Sequence, residues 1–272
     1  MMREELEKKA KEVRSWIIRS VAAAGSGHPG GSLSAADIVT CLYFDEMKID
    51  PERPDMPERD RFILSKGHAA PVQYAALALR GFSPTEELLS LRKMGSHLQG
   101  HPSLGKLPGI EMSTGSLGQG FSVCCGLALG LKIDESPARV YALLGDGELQ
   151  EGIIWEAAMS AAHYKLSNLC AIIDFNGLQI DGKTSDVMNV APIAEKFRAF
   201  GWNVLEINGH DMGEIMFAFD KARTFSAGPT AIIAKTIKGK GVSFMENEAG
   251  WHGKAPKAEE CEQALKEIGG EN

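Results

Sequence analysis

At 272 residues, with 44% hydrophobic and 24% charged side chains, the chain has an ordinary globular composition and enough length for a sizeable core. A net charge of −7 argues against a global basic field, so neither nucleic acid nor an anionic membrane is expected as a main partner. Cys41, Cys124, Cys125, Cys170 and Cys261 are odd in number, show no CxxC spacing and sit mostly in apolar stretches, as free thiols do in a reducing compartment. The N-terminus lacks an apolar signal core, and no apolar run approaches the roughly 18 residues of a membrane span, so a cytoplasmic protein is expected.

In chain order, Leu6, Ala10, Val13, Ile17, Val21 and Ala24 recur every three or four residues and mark an amphipathic helix that ends at Gly25. A second helix is expected over 34–47, and the proline- and charge-rich stretch 50–60 reads as a surface loop. Short apolar runs at 61–65, 140–144, 169–174, 203–207 and 230–234 read as strands. They alternate with expected helices at 68–79, 84–93, 116–131, 150–164, 191–200 and 211–224. That alternation implies an α/β fold, a doubly wound and mainly parallel sheet with helices on both faces. The chain reads as one domain over 1–272, with an irregular tail at 242–272 that carries a possible terminal helix over 257–268.

Ligands in open α/β sheets sit beyond the carboxyl ends of the strands. Gly145-Asp146-Gly147 closes one apolar run, and Phe175-Asn176-Gly177-Leu178 closes the next. A carboxylate at a buried strand end is costly unless paired or holding a metal. Asp146, Asn176 and a nearby carbonyl would form a hard-cation site suited to Mg²⁺ or Ca²⁺ rather than zinc. Alone, Gly-Asp-Gly is an ordinary turn; the Asn-Gly at the end of the next strand, one strand–helix–strand unit later, favours the metal.

Four of the seven histidines, His28, His68, His101 and His252, lie in glycine or proline contexts that disfavour helix. A lone histidine is usually structural or solvated, whereas four in loops suggest phosphate contacts and proton transfer. Gly25-Ser26-Gly27-His28-Pro29-Gly30 matches the dinucleotide pattern G-x-G-x-x-G, but it follows a helix rather than a strand and carries a proline. A better phosphate cradle is Ser113-Thr114-Gly115-Ser116-Leu117-Gly118-Gln119-Gly120, which opens a helix; close helix packing is the plainer reading of Gly118 and Gly120.

With GDGELQEGIIWEA, DFNGLQIDG, SGHPGG, SKGHA, LQGHP, STGSLGQG and WHGKAP in order from about residue 10 to about 256, the chain resembles the thiamine-diphosphate-binding N-terminal domain of transketolases. The resemblance implies thiamine diphosphate as cofactor, with Asp146, Asn176 and the carbonyl of Leu178 ligating Mg²⁺, for which Ca²⁺ or Mn²⁺ can substitute. It implies that Gly145 and Gly147 let backbone approach the diphosphate and that His68 and His252 contact it or line the reaction centre. His28 and His101 match histidines around the substrate's reacting carbonyl and first hydroxyls. Gly115, Ser116 and Leu117 match the pyrimidine end, Glu151 a carboxylate at the subunit interface, and Ile180 with Asp181 support for the metal loop.

The reaction so implied moves a two-carbon ketol unit from a ketose phosphate to an aldose phosphate, as in the pentose phosphate pathway. Related thiamine-diphosphate enzymes, 1-deoxyxylulose-5-phosphate synthase and 2-oxoacid dehydrogenases, share the metal motif, but LQGHP and LQEG favour transketolase. A silent scaffold subunit would not need Asp146, Asn176 and all four histidines. Whole transketolases continue into a pyrimidine domain with an activating glutamate and an aromatic platform, neither of which has a counterpart here. The chain is therefore expected to be the N-terminal subunit of a split enzyme, in a dimer of heterodimers with a C-terminal subunit that carries the pyrimidine domain.

Overall fold

The computed structural model describes residues 1–269. The apolar runs form β1 (Arg61–Leu64), β2 (Val140–Gly145), β3 (Leu169–Phe175), β6 (Asn203–Asn208) and β7 (Thr230–Lys235), all parallel, in the order β1-β2-β3-β7-β6. Between β3 and β6 the chain adds a two-stranded hairpin, β4 (Leu178–Gln179) with β5 (Gly182–Lys183), which no sequence pattern marks.

Alternation along the strands sends residues to opposite faces. Tyr141 and Leu143 of β2, with Cys170 and Ile172 of β3, enter a core beneath helices α1 (Arg3–Ala24), α2 (Pro29–Ser34), α3 (Ala36–Cys41) and α4 (Ala70–Arg80). Val140, Ala142 and Leu144, with Leu169, Ala171 and Ile173, enter the other core, covered by α5 (Gln119–Ile133) and α6 (Gly152–His163). A short α7 (Thr184–Val187) follows the hairpin. Then α8 (Ile193–Ala199) joins the second face, while α9 (Met212–Thr224) and α10 (Ala258–Ile268) join the first. The segment after β7 turns back over the first core through buried Val242 and Met245, and α10 packs on α1. All five cysteines are free, and no helix among the described residues is long and apolar enough to cross a membrane.

Two expected helices differ. The stretch 34–47 breaks at Ala35 between α2 and α3 and ends in a π-helical turn over Leu42–Glu46. The stretch 84–93 forms only a 3-10 turn, Thr85–Ser90, because Leu91 leaves the helical region with ψ 129°. Leu91 and Leu98 can then both enter the core, and the Arg92 N–H closes the loop on the Leu98 carbonyl at 2.8 Å. Tertiary burial outweighs a weak local preference.

The glycines of α5 divide into two kinds. A Cβ on Gly120 would lie 2.9 Å from the Ser65 Cα, whereas one on Gly126 would meet nothing within 4 Å. Gly120→Ala should therefore destabilise the isolated chain by about 1–3 kcal/mol, since backbone cannot yield as a side chain can. Gly126→Ala should stabilise it by about 0.5–1 kcal/mol. Urea denaturation checks both; equal effects would show that packing against Ser65 is not what requires Gly120.

Candidate active site

Parallel pairing at matched register ends β1, β2, β3 and β7 along one edge: Leu64 lies beside Leu143, Gly145 beside Asp174, and Phe175 beside Lys235. Polar residues just past those ends are thereby brought together. Lys66 follows β1, Asp146 follows β2, Asn176 follows β3 and Lys238 follows β7. All four line one cleft of about 280 Å³.

Asp146 is buried, and its carboxylate accepts the N–H of Gly147 at 3.0 Å and of Gly177 at 2.7 Å. Burial first, and then the charge of Asp174, push its carboxyl up to about 7. The group is short of positive charge. Asn176 is oriented by both ends of its amide: Oδ1 accepts the Leu178 N–H at 3.1 Å, and Nδ2 faces Asp174 at 3.4 Å. Asp174 stays ionised, because the adjacent Lys66 outweighs the cost of burial.

Lys238 has the opposite deficit. It is 2% exposed and forms no ion pair with a carboxylate among the described residues; its Nζ lies 2.8 Å from His252 Nδ1 and 3.5 Å from the Leu178 carbonyl. Burial, with Lys66 adding repulsion, lowers it to about 8. A buried cation without a counter-ion calls for an anionic ligand.

The four loop histidines meet above this floor. His68 and His252 stack with centroids 4.9 Å apart, and His28 sits 5.4 Å from each and 6.2 Å from His101. Burial is the main cause lowering all four. Arg92 reinforces it for His28, which falls to about 4, and Lys238 for His252, which falls to about 3. His68 is held well below its ordinary value, with Lys66 next after burial, and His101 is lowered with help from Arg92. At neutral pH these imidazoles are neutral and can each donate and accept. Arg92 joins their loops, bonding Ser26 Oγ at 3.3 Å and the Gly100 carbonyl at 3.5 Å from an unusual φ of +60°.

Gly115, Leu117, Gly145, Gly147, Glu151, Leu178 and Ile180 also line the cleft, but Ser116 does not. Gly115, at φ +144°, turns the backbone there, and Ser116 is exposed outside it. A Cβ on Gly115 would lie 3.0 Å from the His101 ring, so glycine keeps that wall open. Sequence reasoning missed Lys66, Lys238 and Glu148. The strand-end argument that found Asp146 applies equally to Lys66 and Lys238. Glu148 is buried and accepts from Ser65 Oγ, from Gly118 N–H at 2.8 Å and from Gly145 N–H at 3.1 Å. It thereby clamps the glycine cradle to the Asp146 turn.

Among the described residues no group of three or more His, Cys, Asp or Glu is arranged to hold a metal. An ion here would rest on one carboxylate plus neutral oxygens from Asn176 and the Leu178 carbonyl, a hard donor set with positions left for phosphate oxygens. A metal diphosphate fits on chemistry: a carboxylate lacking a cation and an ammonium lacking an anion line the same floor.

The histidines set an acid limit. The unfolded chain takes up protons at His28, His68 and His252 below about pH 6.5, while in the folded chain His28 resists until about 4 and His252 until about 3, and His68 is held down in the same direction by burial. Asp146 opposes this, because folded it keeps a proton up to about 7 that the unfolded carboxyl releases above about 4. Burial raises Glu148 and Asp60 in the same sense as Asp146, so the fall that the histidines cause as pH drops from about 6.5 to about 4 is read as a difference between the parent and a histidine variant. His68→Asn should flatten that fall in urea midpoints; an unchanged pH slope would contradict the assignment.

Residues 6–272 match the family model for the transketolase thiamine diphosphate binding domain, and the chain belongs to that family. It is 44% identical over 264 residues to a 6-deoxy-6-sulfo-D-fructose transketolase subunit of Clostridium sp. (strain MSTE9), covering 97% of this chain and 96% of the relative. It is 44% identical to one of the apulose-4-phosphate transketolase subunits of Phocaeicola vulgatus, covering 98% and 95%. The crystal structure of transketolase from Campylobacter jejuni superposes with a TM-score of 0.94 at 35% identity, over all of this chain but only 44% of that one. Against whole-length transketolases the chain thus spans about two-fifths of their length, and against those named as subunits nearly all of it.

Proposed function

We propose that this chain is the cofactor-binding subunit of a two-chain transketolase, moving a two-carbon ketol unit from a ketose phosphate to an aldose phosphate. One observation carries the reading: Asp146, Asn176, the Leu178 carbonyl, Lys238 and four neutral histidines share one cleft at the carboxyl edge of the sheet. Asp146, Asn176 Oδ1 and the Leu178 carbonyl would hold Mg²⁺, or Ca²⁺ or Mn²⁺ in its place. Lys238, His68 and His252 would take diphosphate oxygens, and Gly145 and Gly147 admit them close to backbone. Gly115 and Leu117 would flank the pyrimidine end.

Thiamine diphosphate, when bound, supplies the carbon–carbon bond chemistry. His28 and His101 orient the sugar: neutral rings at the open side of the cleft can donate to a carbonyl oxygen or accept from a hydroxyl. They can also hold a proton in transit. That activity belongs to cytoplasmic sugar-phosphate exchange of the pentose phosphate kind.

A partner chain is supported by the second face. Helices α5 and α6 leave Val123, Ile133, Met159 and Tyr164 exposed, and a groove of about 340 Å³ runs between them past Gly126 and Ile153. A monomer gains nothing from that apolar surface, whereas a partner's pyrimidine domain would bury it and close the cleft at Glu151. The assembly so built is a dimer of heterodimers. The two subunit relatives carry different ketoses in their names, in keeping with sugar choice at the distal end of the substrate, beyond the residues of this cleft.

Purified alone with Mg²⁺ and thiamine diphosphate, the chain should show no ketol transfer from a ketose phosphate. Mixed with a C-terminal transketolase subunit from the same source it should turn over. Asp146→Ala in the mixture should lower turnover at least a hundredfold with an unchanged circular dichroism spectrum. Full activity from the chain alone would sink the two-chain reading.

A further inference from the structure

Lys238 is delivered to the cleft by residues 236–241, which belong to no helix or strand. Gly239 and Gly241 turn that segment through left-handed conformations, at φ +79° and +95°. With no carboxylate partner, the ammonium depends for its place on how this backbone is held.

We propose that the buried relay Arg14–Asp37–His210, which lies outside the cleft, is a positioning device that sets Lys238 for the diphosphate. The inference rests on the cofactor reading above and extends it to residues that touch no ligand.

The relay is built of three steps. Arg14 forks the Asp37 carboxylate, Nη1 to Oδ1 at 2.8 Å and Nη2 to Oδ2 at 2.6 Å. Burial works against the charge, but Arg14 and His210 outweigh it and hold Asp37 down at about 2. An ionised carboxylate only accepts, so His210 Nδ1, 2.8 Å away, must carry the proton. Its Nε2 is then bare, and it accepts the Ile237 N–H at 2.8 Å. The Nε–H of Arg14 reaches the Lys240 carbonyl at 3.2 Å. One ion pair thus grips the chain on both sides of Lys238.

Histidine is suited to this place because a neutral ring offers a donor on one edge and an acceptor on the other. A side chain that met Asp37 alone would leave the Ile237 N–H without its acceptor. Gly239 N–H to the Gly30 carbonyl, at 3.0 Å, then passes the segment's placement to the first turn of α2, which His28 precedes. Arg14, Asp37 and His210 come from α1, α3 and the end of β6, so the device draws on elements that otherwise serve only the core. A buried ion pair is weak grounds for stability alone, which leaves room for a positioning role.

The test is a double-mutant cycle on the full chain, titrated calorimetrically with Mg²⁺-pyrophosphate, which reads the diphosphate end without the vitamin. His210→Asn keeps a donor for Asp37 but cannot reach Ile237. It should weaken pyrophosphate binding about tenfold in the parent and not at all once Lys238→Ala is present. His210→Gln, whose longer amide carries an oxygen towards Ile237, should recover much of the loss. If His210→Asn does not fold, Arg14→Lys, which gives up the Lys240 bond but keeps a charge for Asp37, takes its place in the cycle. Equal losses with and without Lys238, or no loss at all, would overturn the relay. Failure of the parent to bind either pyrophosphate or thiamine diphosphate would overturn the cofactor reading as well, so the two failures are distinct.

Discussion

The buried ion pair between Lys66 and Asp174 is the interaction on which the site depends. Both side chains are at most 1% exposed. Lys66 also donates to the Gly31 carbonyl at 2.7 Å, while Asp174 accepts from Ser34 Oγ at 2.6 Å and from Thr236 Oγ1. The ends of β1, β3 and β7 and the helix α2 are tied at one point. Such a pair survives burial only with further hydrogen bonds, which the Gly31 carbonyl supplies to Lys66 and the two hydroxyls supply to Asp174. Loss of either member would leave a charge uncompensated beneath the cleft.

That pairing decides what the cleft can bind. Lys66 and Asp174 cancel one another, so neither is available to a ligand. Asp146 and Lys238 are left, one pushed up and the other pushed down chiefly by burial, and they are not paired with each other among the described residues. A purely anionic ligand would answer Lys238 and worsen Asp146; a bare cation would do the reverse. A cation bridged to a diphosphate answers both. The neutral histidines add hydrogen-bond donors and acceptors without disturbing that balance.

Much of this was legible in the sequence, for identifiable reasons. All strands of the sheet but the edge strand β6 announced themselves by being apolar on both faces, and the carboxyl-edge rule then singled out Asp146 and Asn176. The helix expected over 84–93 failed because Leu91 and Leu98 are drawn inward together, a demand that periodicity does not register. The hairpin at 178–183 is too short for any pattern. Lys66 and Lys238 went unread although both follow strand ends as Asp146 does, and the register of β1 and β7 against β2 and β3 brings them to the cleft. His210 was invisible for a similar reason: its partners Asp37 and Ile237 lie on separate elements, and nothing local links them.

The central claim is that the cleft binds a metal and a diphosphate as one unit. Calorimetric titration of the isolated chain with thiamine diphosphate and with thiamine, each with and without Mg²⁺, tests it most directly. The account predicts measurable binding only for thiamine diphosphate with Mg²⁺ present, and little for the other three combinations. Thiamine binding as tightly as its diphosphate, or diphosphate binding indifferent to Mg²⁺, would contradict it.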